Sequence, residues 1–104
     1  MHVQVVTYRL DDVTDSDFIE ANREFADLMA VQPGLLAKIW LKDPDGNTYG
    51  GVYLWNDRDA CQTFLAGELW GEALKDDALI DIDSRDFGVN DELTKLTQPG
   101  LKVL

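Results

Sequence analysis

The sequence predicts an α+β fold in the order strand, helix, strand, strand, helix, strand, a single domain over residues 1–104 that dimerises to complete its core. Runs rich in β-branched residues alternate with apolar residues at helical spacing in that order, and a Pro-Asp-Gly turn joins the middle strands. No Pro-, Gly- or Ser-rich linker divides the 104 residues. With 45% apolar and 10% aromatic residues there is material for a core. A chain this short leaves much surface open, so a sheet face without helices over it is pressure to associate.

Val3 to Leu10, VQVVTYRL, reads as a central strand with apolar residues on both faces. Thr14 or Asp15 caps the first helix, in which Phe18, Ala21, Phe25, Leu28 and Met29 form an apolar stripe. Pro33-Gly34 ends it. Leu35 to Lys42 and Asn47 to Trp55 form a hairpin about Asp43-Pro44-Asp45-Gly46-Asn47, with Gly46 expected to take the positive φ. A three-residue loop puts Leu41 opposite Tyr49, Ile39 opposite Gly51, Ala37 opposite Tyr53 and Leu35 opposite Trp55 on one face. Trp40 then covers Gly50 on the other face, so Trp40 and Tyr53 are expected on opposite sides. Asn56 or Asp57 caps a second helix, Arg58 to Ala66, and the apolar pattern resumes half a turn out of phase at Leu69, Trp70, Ala73 and Leu74. Gly67 marks that break, where a cavity between helix and sheet is expected. Leu79 to Val89 is the fourth strand, with Ile80 and Ile82 expected on one side and Asp81, Asp83 and Arg85 on the other. A short helical turn capped at Asn90 follows, and the apolar Leu101 to Leu104 is expected to dock on a partner subunit. The whole order is the ferredoxin-like βαββαβ plan, an antiparallel sheet with helices on one face.

Nine Lys and Arg against 20 Asp and Glu give a formal net charge of −11, which argues against nucleic acid and anionic membranes as partners. Met1-His2-Val3-Gln4-Val5 has no basic leader, and no apolar run reaches about 18 residues, so a cytoplasmic protein without a membrane span is expected. One cysteine, Cys61, excludes an internal disulfide. With one histidine, neither a two-His iron site nor a Cys/His zinc site is expected, and no glycine-rich phosphate loop suggests a nucleotide cofactor.

Pro33-Gly34-Leu35-Leu36, Lys38-Ile39-Trp40, Gly50-Gly51-Val52-Tyr53-Leu54 and Phe87-x-Val89-Asn90-Asp91-x-Leu93 resemble the small bacterial monooxygenases of the dimeric α+β barrel superfamily, which includes antibiotic-biosynthesis and quinol monooxygenases. That resemblance implies a homodimer and cofactor-independent oxygenation of an electron-rich phenol, quinol or polyketide-like compound, with the substrate itself reducing oxygen. The protein's part would be to deprotonate the phenol, hold its anion between rings in a dry pocket and stabilise a peroxy adduct. Tyr8, Trp40, Tyr53, Trp55 and Trp70 are the rings available to bind such a substrate. Aromatics on sheet faces and helix stripes are more often core or interface than a substrate box, and that reading stands beside this one for each of the five. No general base stands out. His2 reads as a strand-end residue, Cys61 as packing, Asp43, Asp45 and Asn47 as turn chemistry, and Asp81, Asp83 and Asp86 as a solvated strand face. A non-catalytic dimeric ligand-binding or structural module of the same fold stays open beside the oxygenase. A haem-degrading relative ranks behind both, since no helix histidine is present.

Overall fold

The computed structural model describes residues 1–98. Its elements are β1 (His2–Leu10), α1 (Asp15–Ala30), β2 (Leu35–Asp43), β3 (Thr48–Trp55), α2 (Arg58–Leu65), α3 (Glu68–Leu74), β4 (Leu79–Gly88) and α4 (Asp91–Leu96). The strands form one antiparallel sheet in the order β2-β3-β1-β4, the ferredoxin-like arrangement that the sequence predicts. No helix among the described residues is long and apolar enough to cross a membrane. The expected docking segment, Leu101 to Leu104, lies outside the described residues.

Alternation along β1 sets the layers: His2, Gln4, Val6, Tyr8 and Leu10 are buried, and the residues between them are more open. The helices cover the buried side. Phe18 of α1 packs on the rings of Tyr8, Trp40 and Tyr49, while Phe64 of α2 packs on Tyr53 and Trp55. Thr14 caps α1 by accepting from the Asp17 amide at 3.1 Å, and Asp57 caps α2 by accepting from Ala60 at 2.8 Å. The second helix is broken as expected, with α3 starting after Gly67. Of the predicted α1 stripe, Phe18 and Met29 are buried, but Ala21 and Leu28 are exposed. They sit roughly 60° and 80° from the stripe's centre at about 100° per residue, on its shoulder.

The hairpin register differs from expectation. Asn47, and not Gly46, takes the positive φ, at 46°, so the loop holds four residues and Asp43 pairs with Thr48. Asn47 also acts as a false strand residue: its amide accepts from the Leu10 N–H and donates to the Leu10 carbonyl. The pairing therefore runs Lys42 with Tyr49, Trp40 with Gly51 and Lys38 with Tyr53, until a bulge near Leu36 restores the expected Leu35–Trp55 pair. A shift of one residue exchanges the faces of β2. Lys38 and Trp40 turn toward the helices on the same side as Tyr53; Ile39 turns outward and is 52% exposed. In β4 an extra residue lodges at Asp81, φ 55°, so Ile80 pairs with Arg9 on the open face while Ile82 packs on the core. The two isoleucines are thus on opposite sides, contrary to expectation.

Trp40 is half-buried and meets the rings of Phe18 and Phe25 edge-on, with centroids 6.2 and 6.3 Å away. Trp40→Ala is expected to cost about 3 kcal/mol. Urea unfolding measures it, and an unchanged midpoint would show the ring to be redundant.

Candidate active site

The exchanged face of β2 brings an unexpected side chain inside. Lys38 crosses β3 where Gly51 has no side chain, and a Cβ at Gly51 would stand 2.9 Å from Lys38 Cε. Its Nζ lies 3.4 Å from the Trp40 ring centroid, 4.6 Å from that of Tyr53 and 5.1 Å from that of Phe25. Among the described residues it makes no ion pair and no hydrogen bond. Burial favours the neutral amine and pulls its pKa down to about 7. The ring faces attract the ammonium and oppose that pull in part, by about 0.5–2 kcal/mol. Lys38 is therefore poised between its two protonation states near neutral pH.

Lys38 lines a half-open cavity of about 190 Å³ between the sheet, α1 and α3. Tyr8 and Tyr53 form its floor, Trp40 one flank, and Asn22 and Phe25 of α1 part of its wall. The break at Gly67 lets α3 start on a new phase, which turns Trp70 onto Phe64 and into the same cavity. Burial pushes the Tyr8 hydroxyl up to about 12, with Asp76 adding to the effect, and pushes Tyr53 higher still, with Tyr8 adding. Both stay protonated and able to donate at any working pH. Glu72 and Asp76 line the α3 side, so the one cationic group among the cavity's described residues stands opposite two carboxylates.

Of the five predicted rings, the structure brings Tyr8, Trp40, Tyr53 and Trp70 together. Trp55 is elsewhere: it is 0% exposed, stacks behind Tyr53 at 6.2 Å and donates its indole N–H to Gln4 Oε1 at 3.1 Å. Lys38 is the residue that sequence reasoning missed. The signal was an asparagine after Pro-Asp-Gly, able to take positive φ itself and so lengthen the loop by one.

A second cluster lies beyond Trp55. His2, Cys61 and Asp86, read separately in the sequence as a strand end, packing and a solvated face, place potential ligand atoms within 4.8 Å of one another. In the structure His2 Nε2 and Asp86 Oδ2 are hydrogen-bonded at 2.6 Å, and the Cys61 thiol contacts Gln4 Oε1 at 3.9 Å. Burial, and then Asp86, pushes that thiol up to about 11. The donors are of the kinds zinc accepts, but a metal would have to expel a firmly held thiol proton and break the His–Asp bond. The cluster fits a clamp between β1, α2 and β4 better than a metal centre.

The fold is shared with solved oxygenases and with a porphyrin-binding protein. SnoaB from Streptomyces nogalater, a cofactor-independent oxygenase, is 24% identical with a TM-score of 0.65, covering 86% of this chain and 93% of its own. An antibiotic biosynthesis monooxygenase from Deinococcus radiodurans, described as putative, is 16% identical with a TM-score of 0.70 over 86% and 93%. A point mutant of MhuD, holding two manganese protoporphyrin IX per active site, is 17% identical with a TM-score of 0.68 over 86% and 95%. A comparison with curated proteins returns no match. A family model described as "Putative mono-oxygenase ydhR" spans residues 3–99, nearly the whole chain, and the chain belongs to that mono-oxygenase family.

Proposed function

We propose that the protein is a cofactor-independent monooxygenase acting on an electron-rich phenol, quinol or polyketide-like aromatic, with Lys38 as the base. The observation that carries this reading is an amine held without a counter-ion under three aromatic rings, at the wall of a cavity that also presents two tyrosine hydroxyls. A neutral phenol enters past Glu72 and Asp76, which would repel it if it were already an anion. Lys38 takes its proton, and the resulting ammonium and phenolate pair beside the ring faces, where partial burial of the amine strengthens their attraction relative to bulk water. The electron-rich ring then transfers electrons to oxygen and forms a C–O bond, giving a peroxy adduct for which Tyr8 and Tyr53 are available donors. Loss of water from the hydroperoxide leaves a carbonyl on carbon. One oxygen atom stays in the product, the other leaves as water, and the substrate supplies all the electrons. The description of SnoaB as cofactor-independent supports the same reading. Oxygen uptake against a panel of quinols and anthrone-like phenols, with no cofactor added, tests it. Saturable uptake is expected; binding without uptake favours the ligand-binding module instead.

The same reading includes a cytoplasmic homodimer. The sheet face away from the helices carries Val3, Val5, Ile39, Val52, Leu54 and Phe87, with Phe87 48% exposed. A second copy of this face would cover it, burying about 2,000 Å² or more in total. Sedimentation at micromolar concentration is expected to give the mass of two chains, and a stable monomer contradicts the dimer.

A further inference from the structure

We propose that Lys38 is also a nucleophile and that the cavity captures neutral aromatic aldehydes as imines on its amine, an activity independent of oxygen. Imine formation needs a free amine lone pair, a surface that holds the carbonyl compound flat, and a proton donor for the departing oxygen. All three meet here. The amine has no ion pair or hydrogen bond among the described residues to hold its lone pair back. Trp40 and Trp70 supply ring faces, and the about 190 Å³ of space suits a one- or two-ring aldehyde. The Tyr8 and Tyr53 hydroxyls, which burial keeps protonated, are donors of the right kind.

The step balances without a redox partner. The Nζ lone pair adds to the carbonyl carbon, and the C=O π pair moves to oxygen, which takes a proton from a tyrosine or water. The C–N bond becomes double as nitrogen gives up its protons and the oxygen leaves as water. With its pKa pulled down to about 7, Lys38 holds a sizeable share of free amine at neutral pH, whereas an ordinary lysine is free in roughly one molecule in a few thousand. Lys75 lies exposed on the surface at the end of α3 and serves as a reference amine outside the cavity. The acidic α3 wall adds specificity: Glu72 and Asp76 admit a neutral aldehyde and disfavour one bearing a carboxylate.

The full chain is treated at pH 7 with 2-naphthaldehyde and cyanoborohydride, which reduces any imine to a stable amine, and the modified peptides are mapped by mass spectrometry. Labelling of Lys38 is expected to saturate with aldehyde, to exceed that of Lys42 and Lys75 at least tenfold, and to fall when excess 2-naphthol fills the cavity. A carboxylated benzaldehyde should label Lys38 several-fold more slowly than benzaldehyde. Labelling of Lys38 no faster than Lys42 or Lys75, or indifferent to naphthol, overturns the proposal. Oxygen uptake measured on the same preparation separates this outcome from failure of the oxygenase reading.

Discussion

Lys38→Met is expected to lower cofactor-free oxygen uptake by about 10²–10⁴-fold, the usual contribution of a positioned base. Methionine keeps an unbranched apolar stem across Gly51 and against the rings, so the fold and the stacking of a neutral aromatic should survive. What disappears is the lone pair that takes the phenolic proton. Dissociation constants for a non-reacting naphthol should therefore change little while turnover collapses. The pH profile gives the same answer with a sign: Lys38 accepts a proton only after losing its own, so the wild-type rate falls as pH drops below about 7 and levels off above it. In the methionine variant that inflection is expected to vanish. A variant with normal turnover would remove Lys38 from the chemistry.

Gly50→Ala is expected to leave the chain largely unfolded, a cost above about 4 kcal/mol against the roughly 5–15 kcal/mol that holds a typical domain together. Gly50 has φ 157°, and a Cβ on it would overlap the Val6 carbonyl and stand 3.0 Å from Thr7 Cα. Those are backbone atoms of the central strand β1, fixed by pairing on both sides, and they cannot move aside. Its neighbour makes the contrast. A Cβ at Gly51 first meets Lys38 Cε, the end of a flexible stem, so Gly51→Ala should stay folded but push the amine out of place. Circular dichroism and thermal melting separate the two, and a Gly50→Ala protein with wild-type melting would mean that β1 and β3 are spaced more widely than they are here.

Much of this architecture is legible in the sequence because it rests on local rules. Thr14 before an acidic first turn, the phase slip at Gly67 and the β-branched run of β1 each specify their element without knowledge of the rest of the fold. Three of the five predicted rings meet for local reasons, since Tyr8 and Tyr53 share the inward face of adjacent strands and Trp70 follows the helix break; Trp40 joins them only because the β2 register slips by one residue. The failures share one physical origin. Strand register depends on a single residue of loop length, and Asn47 spends itself on the turn and on Leu10, where its amide replaces a strand pairing. That slip moves Lys38 from the open face to the rings, and a lysine in an exposed strand carries no sign of being buried. Asp81 does the same to β4 through a left-handed residue that is neither glycine nor asparagine. The His2, Cys61 and Asp86 contact joins residues up to 84 apart in the chain and has no local signature.

Whether Lys38 changes protonation near neutral pH inside the aromatic cavity is tested most directly by its own titration. With lysines carbon-13-labelled at Cε, NMR between about pH 5 and 11 should show one resonance titrating near 7, absent from Lys38→Met and shifted by an aromatic ligand. A spectrum in which no lysine resonance titrates near 7 would contradict the account, because an amine permanently charged at neutral pH can neither take a phenol's proton nor attack an aldehyde.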